Sequence, residues 1–158
     1  MSTKPQIKDG HAFVQHRRAL FEYEVVERHE AGLCLMGSEV KSIRDGKCSL
    51  NEAYCQFNSR GELFLVQAHI GEYPMAHARN HAPLRQRKLL MHQRELEHLS
   101  EAVQKQSMTL IPLDMHAKNG RIKLALALCR GKKDYDKRAS IKEREQKREI
   151  DRAIRERT

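Results

Sequence analysis

"MTLIPLDMHAKNGRIKLALALC" (Met108–Cys129) decides the fold of this 158-residue chain. Asn119-Gly120 is a dipeptide that readily takes the two positive φ angles of a type I′ turn, so the runs on either side read as the arms of a hairpin. In the second arm Arg121-Ile122-Lys123-Leu124 alternates with period two. The alternation then gives way to the continuous apolar "LALAL", the text of a strand covered on both faces. Pro112 in the first arm has no N–H to give to a ladder, which puts that arm at a sheet edge or at a bulge.

Upstream, "AYCQFN" and "LFLVQAHI" flank the turn text "SRGE" and read as a second hairpin. "EYEVVER" (Glu22–Arg28) and "GLCLM" (Gly32–Met36) are β-branched or apolar runs on either side of "HEAG", which predicts a third. Short helices are expected over Phe13–Leu20 and over "GSEVKSIRDG", the latter with Ser38 as N-cap and Val40 and Ile43 three residues apart. "LLMHQRELEHLSEAVQK" carries Leu96, Leu99 and Val103 on one helical face, with His92 and Glu95 as a weak capping box. Leu89–Met91 reads equally as a strand ahead of that helix. The long stretch "GEYPMAHARNHAPLRQRK" reads as a loop. Three hairpins give a mainly β chain with about three short helices, a six-stranded antiparallel barrel of the oligonucleotide-binding (OB) kind. Hydrophobic text stops at Cys129. The expected organisation is a loose N-terminus over 1–12, the OB-like barrel over 13–130 and a basic tail over 131–158.

Charge sets the class of partner. Thirty Lys and Arg stand against twenty-one Asp and Glu, a net +9, which favours a polyanion. From Arg130 onward there are 12 basic and 7 acidic side chains in 29 residues, over half the excess in under a fifth of the chain. Apolar groups are sparse there: Tyr135, Ala139, Ile141, Ile150, Ala153 and Ile154. Opposite charges at Glu143/Lys147 and Asp151/Arg155 have i,i+4 spacing and favour helix. A helix this polar is marginal by itself, so the tail is expected to be disordered when free and helical on a partner.

No apolar run approaches the roughly 20 residues that cross a bilayer, and the N-terminus lacks the apolar stretch of a secretory signal, so a cytoplasmic protein is expected. Cys34, Cys48, Cys55 and Cys129 are scattered, without a CxxC pair, and read as reduced thiols. Nine histidines raise a metal or nuclease reading. His77 and His81 have i,i+4 spacing but sit between Pro74 and Pro83 in text that is not helical. No HExxH, Cys/His cluster, P-loop or GxGxxG accompanies them, so neither a metal, a cofactor nor an enzyme is expected. Basic residues cluster at Arg17 and Arg18, at Lys41 and Arg44, and at Arg85, Arg87 and Lys88. Aromatic residues are only 5% of the chain, which speaks against base stacking along a sheet and for recognition of structured RNA by shape and phosphate. A ribosomal or initiation-type protein with a similar barrel is the alternative reading.

"EAGLCLMGSEVKSIRDGKCSLNEAY", "RQRKLLMHQRELEHL" and "LCRGKKDYDKRASIKERE" resemble, in order and spacing, the signature blocks of the SsrA-binding protein family, SmpB. The resemblance runs from about Phe21 to Arg148. It implies a bacterial, non-enzymatic adaptor of trans-translation. In that family the barrel holds the tRNA-like domain of transfer-messenger RNA (tmRNA, SsrA) and brings it to stalled ribosomes. Elongation factor Tu takes part through the RNA complex, and the tail enters the empty decoding centre and mRNA channel against small-subunit ribosomal RNA. By resemblance the RNA-facing residues are Arg17, Arg18, the turn glutamate Glu30, Lys41, Arg44, Arg85, Arg87, Lys88 and His92. Lys132, Lys133, Tyr135, Asp136, Lys137 and Arg138 match the block presented to the decoding centre, Tyr135 as a ring to stack on a base. Two positions depart from the family: His16 stands where its asparagine before the basic pair is frequent, and His92 where an asparagine follows "RKLLL".

Overall fold

The last hairpin forms as its text requires. β8 (Thr109–Lys118) and β9 (Arg121–Gly131) pair antiparallel from Thr109↔Cys129 to Lys118↔Arg121, with Asn119 at φ 50° and Gly120 at φ 73° in the turn. The register slips between Pro112 and Asp114, a bulge where the proline cannot donate. This is a computed structural model, and it describes residues 7–131 and 134–157, with only the backbone of 134–137, 139 and 140.

In chain order the remaining elements are β1 (Ala12–Gln15), α1 (Ala19–Glu22), β2 (Tyr23–Leu33), α2 (Gly37–Arg44), β3 (Cys48–Ser49), β4 (Tyr54–Phe57), β5 (Leu63–Val66), β6 (His69–Ile70), a 3₁₀ segment at Pro74–Arg79, β7 (Arg87–Leu90), α3 (Gln93–Lys105) and α4 (Asp134–Glu156). Hydrogen-bonded order runs β8-β4-β5-β7-β2-β9 and returns to β8, and every pairing is antiparallel. β1 lies on β8 beyond the point where β4 leaves it.

Inside this ring Leu63, Leu65, Ile70, Leu89, Leu110, Met115, Leu124 and Leu126 are essentially inaccessible. α3 covers the ring with Leu99 and Ala102 buried and Leu96 and Val103 packed against the same core. A smaller cluster of Ala19, Ile111, Ala127 and Cys129, with Tyr23 and Val25 against it, involves α1.

Three sequence expectations give way to other structures. β2 is one continuous 11-residue strand where a hairpin was expected, so "HEAG" is strand and Glu30 is no turn residue. Ala31 points into the core at 1% exposure. A side chain on Gly32 would begin 3.3 Å from Leu90 Cβ, so this glycine serves close approach of β2 to β7. The sixth strand of the ring is β7, which settles Leu89 as strand. The helix expected over Phe13–Leu20 is instead β1 followed by the single turn α1, because the edge of β8 is open to a partner. There His16 donates its backbone N–H to Leu113 O (2.8 Å) and its ring Nδ1–H to Pro112 O (3.0 Å), satisfying the carbonyls at the bulge.

Finally, the tail is not without structure. α4 is a 23-residue helix, and Arg144 lies over the Phe21 ring of α1 at 5.4 Å. That cation–π contact links it to the folded body. Ile141, Ile150 and Ile154 remain exposed along it.

Candidate nucleic-acid interface

Strand pairing fixes which outward side chains become neighbours. Ala12, His116, Lys123, Gly32 and Leu90 form one row across β1, β8, β9, β2 and β7. Gln15, Asp114, Ala125 and Glu30 form the next row. Residues opposite one another, and those two apart on a strand, share a face. The small Gly32 and Ala125 leave the middle of this face shallow, and Leu90 stands out of it at 50% exposure.

Two depressions meet there and share Gly32, Leu90 and Lys123. One, of about 310 Å³, is bounded by Leu35, Val40, Arg44 and Arg121. The other, of about 460 Å³, is bounded by Glu30, Met91, His92 and Glu95. Arg44 reaches the hairpin turn at Gly120 O (3.4 Å). Glu30 is held in place: Lys118 Nζ lies 2.9 Å from Oε1 and His116 Nε2 3.0 Å from Oε2. The Lys118 ammonium brings the Glu30 carboxyl below its ordinary range, against partial burial and with help from His116. An exposed leucine ringed by Arg44, Arg121 and Lys123 offers a phosphate backbone cations and gives a ribose or base an apolar seat.

Of the residues expected to face RNA, Glu30, Arg44 and His92 are brought together on this face. His92 is the N-cap position of α3, and its side chain makes no cap hydrogen bond, so no capping box forms with Glu95. Arg17 lines a separate depression with β1 and Ser49, and both Arg17 and Arg18 are exposed. Lys41 stacks over the Tyr73 ring at 5.2 Å. Lys88 is paired with Glu62 at 2.8 Å, and that contact raises its pKa.

Arg87 is inside the protein, with no exposed surface, and is not available to a surface ligand. Its Nε donates to Glu39 Oε1 (3.0 Å), Nη1 to Ala68 O (2.7 Å) and Nη2 to Pro83 O (3.1 Å). Arg85 adds two bonds of 2.9 Å to the same carboxylate. Glu39 also accepts the Met36 N–H at 3.0 Å, so the cap of α2 begins at Met36 and not at Ser38. Burial alone would push the Glu39 carboxyl up; Arg85, the Met36 N–H and Arg87 outweigh it and leave it below its usual range. Together these bonds fasten α2 to the segment ahead of β7. Ser38 serves the same junction: His81 Nε2 donates to Ile70 O (2.9 Å), which leaves Nδ1 to accept the Ser38 hydroxyl (2.8 Å).

Lys132 and Lys133 lie outside the described residues, as do the side chains of Tyr135, Asp136 and Lys137; Arg138 is exposed on α4. The sequence reading missed Leu90, Arg121 and Lys123. The alternation of Arg121-Ile122-Lys123-Leu124 already puts both cations outward, and Leu90 follows from Leu89 being inward. Among the described residues no group of three or more His, Cys, Asp or Glu could hold a metal ion, and no helix is long and apolar enough to cross a membrane.

A profile of the family described as SmpB protein matches residues 13–156. The chain is similar to the SsrA-binding protein of Clostridium perfringens, 46% identical over 150 residues, 95% of this chain and 96% of that protein. It is similar also to the SsrA-binding protein of Thermobifida fusca, 48% identical over 143 residues, 90% of this chain and 89% of that one. A chain of the solved structure described as "tmRNA-SmpB: a journey to the center of the bacterial ribosome" is 40% identical, with a TM-score of 0.62 over 76% of this chain and 84% of its own.

Proposed function

The chain belongs to the SmpB protein family, and we propose that it is the tmRNA-binding adaptor of trans-translation in its own cell, a non-enzymatic protein acting on ribosomes. The ring of strands is a barrel of the OB type. Its outer face at β8, β9, β2 and β7 holds the tRNA-like domain of tmRNA. Arg44, Arg121 and Lys123 take phosphates, Glu30 and His92 take polar groups of the RNA, and Leu90 packs on a sugar or base. Arg17, Arg18, Lys41 and Lys88 supply peripheral phosphate contacts, while Arg85 and Arg87 act from behind by fixing Glu39 and α2.

The body, over residues 13–130, delivers tmRNA to a stalled ribosome in the cytoplasm, with elongation factor Tu bound through the RNA. The tail, over 131–158, occupies the empty decoding centre and mRNA channel against small-subunit ribosomal RNA. Lys132, Lys133, Tyr135, Asp136, Lys137 and Arg138 stand at the decoding centre. The observation that carries the reading is the exposed Leu90 set among cations on a face that no other part of the described chain covers.

Sequencing the RNA retained by the tagged protein tests it. tmRNA enriched over ribosomal RNA is expected. Ribosomal RNA in equal amount with and without tmRNA in the cell would point to a ribosomal protein instead. The face itself is tested by salt. Changing Arg44, Arg121 and Lys123 together to Ala is expected to weaken binding and to flatten log K against log salt, by about 0.7–0.9 for each phosphate that is no longer neutralised. An unchanged slope removes these three cations from the interface.

A further inference from the structure

The 3₁₀ segment Pro74–Arg79 carries the most exposed large apolar side chain among the described residues, Met75 at 73%. The loop around it is built, not slack. Asn80 closes it: Oδ1 accepts the Tyr73 N–H (3.0 Å) and Nδ2 donates to Tyr73 O (2.9 Å). The next residue, His81, is buried and bonded to Ile70 O and the Ser38 hydroxyl, which fixes the base of the loop to the body. Inside the loop the Ala76 N–H donates to Tyr73 O (3.0 Å) and the Asn80 N–H to His77 O (3.3 Å). His77 sits at φ 47° and ψ −117°, outside the small left-handed region open to residues with a Cβ. Such a conformation persists only where its surroundings impose it, and strain of this kind gathers at functional positions.

The loop stands beside the face described above. Lys41 Nζ lies 5.2 Å from the centre of the Tyr73 ring, which ties the start of the loop to α2. Lys41 and Arg44 are three residues apart and therefore neighbours on that helix. Arg44 bounds the depression that contains Leu90, so the loop continues the candidate face around α2. Its charge is one-sided. Lys41, Lys47 and Arg79 are all exposed, and Lys47 adjoins the loop through its carbonyl, which accepts the Gly71 N–H (2.8 Å). Between Gly71 and Arg85 the sequence has a single carboxylate, Glu72. An apolar tip rimmed by cations repeats the arrangement at Leu90.

Resting on the RNA-binding reading, we infer that this loop is a second contact element for the same RNA. The RNA held on the β8-β9-β2-β7 face passes around α2 and reaches Met75. The flexible thioether side chain packs on an exposed ribose or base, while Lys41 and Arg79 take phosphates on either side. Because the Asn80 closure and the His77 turn hold the tip in place before binding, little ordering cost is left for the moment of contact.

The test compares the full chain with a Met75→Ser/Arg79→Ala protein, in which both changes are on the exposed surface. Against a transcript of the tRNA-like domain, the Kd of the variant is expected to rise about fivefold or more. Its plot of log K against log salt is expected to flatten by about 0.7–0.9, the share of one phosphate. Hydroxyl-radical protection of the transcript gives the position. Wild type is expected to protect two patches, of which this variant loses one and Leu90→Ala/Lys123→Ala the other. Equal Kd, slope and protection for wild type and Met75→Ser/Arg79→Ala overturns the inference and leaves the RNA-binding reading standing. A variant that binds the transcript normally but no longer joins ribosomes also overturns it, since the loop then serves another partner. A wild-type chain that protects no nucleotide counts against the RNA-binding reading itself and takes the inference with it.

Discussion

Replacing Glu39 with Ala is expected to destabilise the protein by about 3–5 kcal/mol, because it leaves the Arg87 cation buried without its counter-ion. Such a loss is a large part of the 5–15 kcal/mol typical of a domain. Arg87 keeps its bonds to Ala68, Ala82 and Pro83 carbonyls, but none of those carries a charge. The Met36 N–H loses its acceptor at the same time, which loosens the start of α2 and the position of Arg44 at its end. Removing both charges in Glu39→Ala/Arg87→Met is expected to recover much of the loss, since an uncharged, well-filled interior carries no unpaired ion. Urea unfolding of the three proteins measures this. A single variant within about 1 kcal/mol of wild type would show that the pair is not what fixes α2.

The carboxyl of Glu39 lies below its ordinary range in the folded protein. Its contribution is therefore fully present above the ordinary carboxylate pKa and is lost as the pH falls through the lower, folded value. The same sign holds for Glu27, which hydrogen bonds from His29 and His98 (2.9 and 2.8 Å) bring below the usual range.

Cutting the chain after Arg130 is expected to abolish tagging of stalled translation products and to leave affinity for the tRNA-like domain within about twofold. All core residues precede that point, the last being Cys129. β9 loses only Gly131, at the end of its pairing with Tyr23. A subtler change separates the helix from the charge. Ala153→Pro keeps every basic residue but costs α4 about 3 kcal/mol or more, since proline removes a helical N–H and clashes with the preceding turn. Its 23 residues span about 34 Å as a helix, long enough to line a channel. Loss of tagging with RNA affinity intact is expected for both proteins. Normal tagging by Ala153→Pro would mean that the tail acts as an extended arm.

How far the sequence carried the fold differs by element. Asn119-Gly120 and Pro112 announced the last hairpin and its bulge because both are backbone constraints independent of context. β2 was not readable, because its glycine has two uses, a turn or a close strand crossing, and only the position of Leu90 decides between them. Arg87 was misread for a related reason. In "RQRKLL" three cations look alike until the strand is known, and then alternation puts Arg87 on the inward side with Leu89. Its carboxylate partner Glu39 lies 48 residues away in sequence, beyond the reach of any local pattern. The candidate face was half visible: Arg44 as part of a basic cluster, Glu30 and His92 by resemblance, and Arg121 and Lys123 as outward positions of an alternating strand, whereas strand register was needed to bring them beside Leu90.

The most direct measurement is the dissociation constant of the tRNA-like domain for the Leu90→Ala/Lys123→Ala protein beside wild type at one salt and pH. Both side chains are outside the core, so the melting temperature should hold. Binding weaker by at least about tenfold is expected, the effect of removing an apolar anchor and a phosphate-binding cation from the middle of an interface. Equal affinities with equal stability would contradict it and place the RNA on another face of the strands.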